Sequence, residues 1–388
     1  MPPTSKTMPS LPPRRGSALY RTGQGLVSGL LALTACTTAL PPAGDDLNAY
    51  PPSVESAQPL PASARTRAAF AALGPGINFG NMLEAPREGD WGSRFQDDYP
   101  AMVRRAGFGH VRLPVRWSAH AGRDAQARID AAFLARVDNV VEQLLAQRLT
   151  VVLNMHHYRQ LDGDRLDAGE FQVERGDLQP RFLAMWRQIA EHFAGRSERL
   201  WFELYNEPHG ELAASWNDLA SRALRVVRAS NLQRVVVIGP VQWNSARALD
   251  KLTLPADENL VVTVHDYEPF RFTHQQASWA GPEAARASGQ RCCNDEQRRQ
   301  LTEPLAIAQR WAERHRVPVW LGEFGAYAGP PDRPNDMASR AEHTRLVRDE
   351  AERRGIAWAY WELDSGFGAY DPKARQWREP LRKALLGR

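Results

Sequence analysis

The chain has 388 residues, 43% of them hydrophobic, with 12 tryptophans and a formal charge of +4. That is enough apolar material for one large domain or two smaller ones. The basic excess is local: residues 1–35 carry Lys6, Arg14, Arg15 and Arg21 and no acid, so the remainder is neutral and offers no basic patch for a nucleic-acid partner.

Arg14, Arg15 and Arg21 precede an apolar stretch, Gly25–Ala35, which is too short to span a bilayer. A positive segment, a short apolar run and small residues are the marks of a secretory signal peptide. The stretch ends Leu33-Thr34-Ala35-Cys36, which resembles the lipobox of bacterial lipoproteins. By that resemblance residues 1–35 are a leader and Cys36 becomes the lipidated first residue, the chain's single tie to a membrane. Thr37 in the next position, rather than Asp, resembles outer-membrane sorting in a Gram-negative cell. The expected location is therefore an exported protein, held at the outer membrane or released. An ordinary cleaved signal with an incidental cysteine is the alternative. Residues 36–65 are rich in proline and alanine and cannot build a core, so they are expected to form an extended tether.

Residues 66–388 repeat one pattern: a short apolar run, a polar residue at its end, then a longer amphipathic segment. The runs are Gly76–Gly80, His110–Val115, Thr150–His156, Leu200–Glu207, Arg234–Gly239, Leu260–Tyr267, Val317–Phe324 and Ala357–Leu363. Helical spacing marks Ile129–Gln147, Pro180–Ala194, Trp216–Ser230, Glu296–His315 and Ala338–Arg354. Alternating buried strands and helices imply a parallel sheet, and eight units in a domain of this size imply a closed (β/α)8 TIM barrel. A doubly wound open sheet is disfavoured because no glycine-rich phosphate turn follows the first strand.

Active sites of such barrels lie at the carboxyl ends of the strands. Those ends carry Asn81 with Glu84, Arg112, His156-His157, Asn206-Glu207, His265 with Tyr267, Glu323 and Trp361. Two apolar strands that each finish in a glutamate place two carboxylates across a cleft. That is the equipment for glycoside hydrolysis, in which one carboxyl protonates the leaving oxygen and the other attacks the sugar carbon.

Seven stretches, in order over nearly all of residues 70–388, resemble glycoside hydrolase family 5. They are Gly76-Ile77-Asn78-Phe79-Gly80-Asn81, Val111-Arg112-Leu113-Pro114, Asn154-Met155-His156-His157, Tyr205-Asn206-Glu207-Pro208, His265-Asp266-Tyr267, Gly322-Glu323-Phe324-Gly325 and Tyr360-Trp361. The resemblance implies a retaining endo-β-1,4-glucanase, with Glu207 as acid/base and Glu323 as nucleophile. It also implies a β-glucan substrate, no cofactor and no metal. β-Mannan, xyloglucan or mixed-linkage glucan would suit the same machinery. From another class, a surface lipoprotein that only binds glycans would be expected to lack one glutamate.

Further roles follow from chemistry. Glu207 is expected to hold its proton through burial and the nearby charge of Glu323. Asn206 would contact the sugar 2-hydroxyl, and Arg112 would keep Glu323 ionised within a network shared with Glu203. Tyr267 would donate to Glu323, and His265 would contact the nucleophile or the leaving-group side. His156 would bind or orient sugar, while His157 could support it or simply be a core histidine. The adjacent histidines lack the further converging ligands that a metal site requires. Trp361 is expected to stack on a sugar. Trp243 and Trp279, with Trp91 and Trp117 behind them, are candidate platforms for others, and the stretch from Asn81 to Trp91 is expected to form a cleft wall. For Cys292-Cys293 a vicinal disulfide, free thiols and an intermolecular bond all remain open. A monomer is expected.

Overall fold

A computed structural model of the chain describes residues 59–387. Among them, eight parallel strands close into a barrel in sequence order, the last pairing with the first. They are β1 (Gly76–Asn78), β2 (His110–Leu113), β3 (Thr150–Asn154), β4 (Leu200–Glu203), β5 (Val236–Ile238), β6 (Leu260–His265), β7 (Val319–Glu323) and β8 (Ala357–Tyr360). Each lies within a run expected from the sequence. Most stop earlier at the carboxyl end, because the ladder runs out of partners. β4 pairs with β5 only at Phe202 and Glu203, so Glu207 stands beyond the strand.

Helices Ala131–Ala146, Leu178–His192, Trp216–Arg228, Asp295–His315 and Met337–Arg353 fall within two residues of their expected bounds. Local chemistry sets their starts. The Asp130 carboxylate accepts from Phe133 N at 2.8 Å, and Asn294 with Gln297 forms a reciprocal capping box. The alternation breaks once. Between β5 and β6 the chain folds only a helical turn, Val241–Asn244, and a 3-10 helix, Ala246–Lys251, in place of a full crossover helix.

Strand residues divide between two cores. Val111, Val151, Leu153, Leu200, Phe202, Val319 and Leu321 belong to the large outer core with the helices. Val152, Trp201, Val237, Val261, Trp320 and Ala359 form a separate inner cluster, closed by Leu73 just after the helix Ala64–Ala71. That helix seals the barrel floor. Ala62 N donates to Arg316 O at 2.9 Å and Ser63 N to Glu258 O at 2.8 Å, just ahead of β7 and β6. Arg65 reaches Gln233 and Glu198, ahead of β5 and β4. The chain thus enters at the amino-terminal face. The helix begins at Ala64, two residues inside the segment assigned to the tether from composition. Residues 1–58, with Cys36 and the leader, lie outside the described residues. No described helix is long and apolar enough to cross a membrane.

One irregularity aims a side chain. Thr263 pairs with Trp320 and Val264 with Leu321, but His265 pairs with Glu323, so the register slips at Gly322. Strict alternation from the inward Trp320 would turn Glu323 outward. The bulge returns it to the axis.

The floor is tight enough to test. A Cβ on Gly109 would sit 2.0 Å from the Leu73 carbonyl oxygen. Gly109→Ala is expected to cost about 1–3 kcal/mol of unfolding free energy by forcing backbone apart. Urea denaturation measures it, and an unchanged midpoint would mean the floor yields freely.

Candidate active site

Arg112 projects from β2 onto the barrel axis with no exposed surface. Its Nε and Nη2 donate to the Glu203 carboxylate at 2.7 and 2.9 Å. Nη1 reaches Glu323 Oε1 at 2.5 Å and Asn78 Oδ1 at 3.1 Å, and Nη2 also reaches Asn206 Oδ1 at 2.6 Å. The structural and the functional pairing foreseen for Arg112 coexist. The hydroxyl of Tyr267 donates to Glu323 Oε2 at 2.8 Å. Burial raises Glu323 above its ordinary value, while His265, Arg112 and the Tyr267 hydroxyl pull it down.

Glu207 differs. No guanidinium bonds its carboxylate among the described residues; its partner is His265 Nδ1, 2.7 Å from Oε1. The side chain keeps 24% of its surface, facing the cleft. Burial pushes it up to about 7, against the lowering pull of Arg112, His209 and Arg159. Burial is the first cause, and the expected repulsion between the two carboxylates is present as well, since Glu207 pushes Glu323 upward. Donor atoms of Glu207, His265 and Glu323 all lie within 4.8 Å of one another. That spacing could hold a cation, but Arg112 already supplies positive charge to Glu323. His156 and His157 belong to no converging group of three donors among the described residues.

Around this pair the other expected residues gather unequally. The Asn206 side-chain oxygen accepts from Arg112 Nη2, which fixes the direction its amide nitrogen faces. His156 stacks on Trp361 with ring centroids 5.4 Å apart and planes 9° from parallel. A Cβ on Gly80 would lie 2.8 Å from the Trp361 ring, so the first βα loop must pass there as glycine. His157 meets His156 edge-on and Trp91 in the same manner. Asn81 sits at the wall with a left-handed backbone, and its N–H and that of Met82 hold the buried Glu84.

The tryptophans separate. Trp117 is a correction: it is fully buried, its Nε1 donating to Asn154 O at 3.0 Å, and it cannot be a platform. Trp243 is 56% exposed and stacks on His209, whose Nδ1 lies 2.6 Å from the Glu207 carbonyl oxygen. Trp279 is 63% exposed and stands edge-on to Tyr327, apart from the carboxylate pair in its contacts. The sulfurs of Cys292 and Cys293 face each other just ahead of the helix Asp295–His315. Sequence reasoning missed His209, Asn78 and Asn244. His209 follows Pro208 directly and could have been found as a polar residue just past the strand end. Nothing in the sequence around Asn244 marks it.

Comparison with known proteins gives the same address. Residues 74–366 match the profile of cellulase (glycosyl hydrolase family 5). Endoglucanase H of Acetivibrio thermocellus is 33% identical over 81% of this chain and 33% of its own length. The chain thus spans about a third of that relative, and about as much of cellulase/esterase CelE from the same organism. A crystal structure of Thermotoga maritima Cel5A with cellobiose superposes with a TM-score of 0.76 at 39% identity, covering 82% of this chain and 99% of that one. A complex of the same protein with mannotriose gives the same values.

The raised value of Glu207 carries a stability signature. Its folded value lies above the ordinary 4.5, so between pH 4.5 and about 7 the folded chain keeps a proton that the unfolded chain has lost. The group's favourable contribution is complete below 4.5 and disappears as pH rises through 7. Glu207→Gln should therefore become more stable than the wild type as pH goes from 5 to 8, by at most about 3 kcal/mol. Thermal unfolding of both proteins across that range tests it, and a pH-independent difference would refute the assignment.

Proposed function

The chain belongs to glycosyl hydrolase family 5, and from that premise we propose that it is an endo-β-1,4-glucanase that cleaves with retention of configuration. One observation carries the reading: the two glutamates bring a carboxyl oxygen each to within 4.8 Å, one carboxyl hydrogen-bonded to a buried guanidinium and the other pushed up to about 7. Inverting enzymes need about 6.5–9.5 Å to seat a water between the carboxyls, whereas retaining ones need about 5–5.5 Å.

In this mechanism Glu323 attacks the anomeric carbon while Glu207 gives its proton to the departing glycosidic oxygen. A glycosyl ester on Glu323 results. Glu207, now a carboxylate, takes a proton from water as the water attacks the same carbon and Glu323 leaves. Esterification removes the charge on Glu323, which makes the ionised form of Glu207 cheaper when it must act as base. Arg112 and Tyr267 hold the nucleophile, Asn206 binds the 2-hydroxyl, and Trp361 with His156 behind it offers a flat face to the sugar. Trp243 extends that surface past Glu207. The mannotriose complex of Cel5A supports a second reading, in which the same residues cleave β-mannan.

Reducing-sugar release from carboxymethyl-cellulose, barley β-glucan, xyloglucan and β-mannan, with Glu323→Ala alongside, tests the proposal. The expected outcome is greatest release on carboxymethyl-cellulose and none from the variant. Greatest release on mannan would move the substrate, and substantial activity in Glu323→Ala would overturn the nucleophile.

We also propose that the enzyme is exported and anchored through lipid on Cys36, on the strength of the Leu33–Cys36 sequence. A fatty-acid probe supplied to expressing cells should label the wild type and leave Cys36→Ala unlabelled. An unlabelled wild type would remove the anchor.

A further inference from the structure

Asn244 is fully buried yet lies in a run of three residues, Gln242, Trp243 and Asn244, whose φ values are 61°, 56° and 56°. Side-chain-bearing residues avoid consecutive left-handed conformations, and strain of this kind gathers at working sites. The turn is joined to β6 by a parallel bridge between Ser245 and His265. It delivers Asn244 between the acid/base loop and that strand. Asn244 Nδ2 donates to the Asn206 backbone carbonyl and meets His265 Nε2 at 3.3 Å. Its Oδ1 is buried without a hydrogen-bond partner among the described residues. Such an orphan is uncommon and calls for a reason. Rotating the amide would press Oδ1 against the Asn206 carbonyl, so the carbonyl dictates which way the amide points. Gly239 makes the room, since a Cβ there would lie 2.0 Å from Oδ1.

We propose that Asn244 is a positioning residue that fixes His265 as its Nδ1–H tautomer and thereby makes it a hydrogen-bond donor to Glu207. One amide proton goes to the Asn206 carbonyl and the other faces Nε2, so Nε2 must present its lone pair. The proton of the neutral ring then sits on Nδ1, 2.7 Å from Glu207 Oε1. Burial keeps His265 neutral by lowering it to about 4. A donor at that place favours the ionised form of Glu207 and opposes its desolvation. The reverse tautomer would accept from protonated Glu207 and hold the proton in place.

Glu323, whose Oε2 lies 3.7 Å from Nδ1, also favours a proton on that nitrogen, but it does not meet Nε2. Arg112, Glu203 and Glu323 face His265 from inside the barrel, and Arg159 and His209 face Glu207 from its loops. Tyr267 has committed its hydroxyl to Glu323, and His156 is kept neutral by burial. Among the described residues, Asn244 is the hydrogen-bond partner at Nε2.

The test is nitrogen NMR on the full chain carrying 15N-histidine, with the His265 signals identified by their loss in His265→Phe. The wild type should be protonated at Nδ1. Asn244→Asp, whose carboxylate must accept, should move the proton to Nε2, and uncharged Asn244→Leu should lose the pure Nδ1–H signature. In kinetics, which rest on the acid/base role proposed for Glu207, both variants should shift the alkaline limb of kcat/KM upward by about half a pH unit or more. Gly239→Ala, which expels Asn244, should follow Asn244→Leu. A wild-type ring protonated at Nε2 would overturn the proposal, as would variants that leave the tautomer at Nδ1. The wild-type spectrum decides even if a variant fails to fold. It needs no turnover, so inactivity on every glycan would sink the glucanase reading and leave the tautomer standing.

Discussion

A guanidinium with no access to water sits on the axis of this barrel, and the arrangement of the site follows from the need to satisfy it. Arg112 meets Glu203 twice, Glu323 once, and the side-chain oxygens of Asn78 and Asn206. Breaking such a pair would strand a buried charge at a cost of about 3–5 kcal/mol. With Glu203 neutralising Arg112, the charge of Glu323 is the surplus, and a second ionisation at Glu207 would double it. The protonation of the pair is thus set by how many charges a closed interior tolerates. Asn206 is oriented by the same cation, which ties the residue beside Glu207 to the guanidinium that holds Glu323.

The working parts stand where the barrel departs from regularity. Gly322 inserts a residue into β7 and turns Glu323 inward. The left-handed run Gln242–Asn244 occupies the place of a crossover helix and presents Asn244 to the interior and Trp243 to the surface. Gly80 lets the first loop pass against Trp361. An ideal strand–helix repeat would offer none of these positions. Regular structure supplies the frame, and its exceptions supply the aim.

That division explains what was legible in the sequence. Strands buried on both faces read as continuous apolar runs, so all eight could be found, and a glutamate closing two of them stood out. Glu207, Glu323, Arg112, Tyr267 and Trp361 were legible because a charged or aromatic residue just after such a run has few places to go in a barrel. Strand ends were drawn too long, since hydropathy continues past the last ladder bond, as in Leu204-Tyr205. The bulge at Gly322 was invisible because it depends on the partner strand. Trp117 misled because loop position in sequence says nothing about burial, and Asn244 stayed hidden because its value comes from two residues far away in the chain.

The helix Ala64–Ala71 at the floor has a consequence for how the molecule meets a polymer. The strands point their carboxyl ends, and with them the catalytic groups, away from the face where residue 62 joins Arg316. Anything attached ahead of that point pulls on one pole while the cleft opens at the other. The first described residues and the cleft therefore occupy opposite ends of the barrel. A long, stiff chain can approach the cleft without meeting the helix Ala64–Ala71.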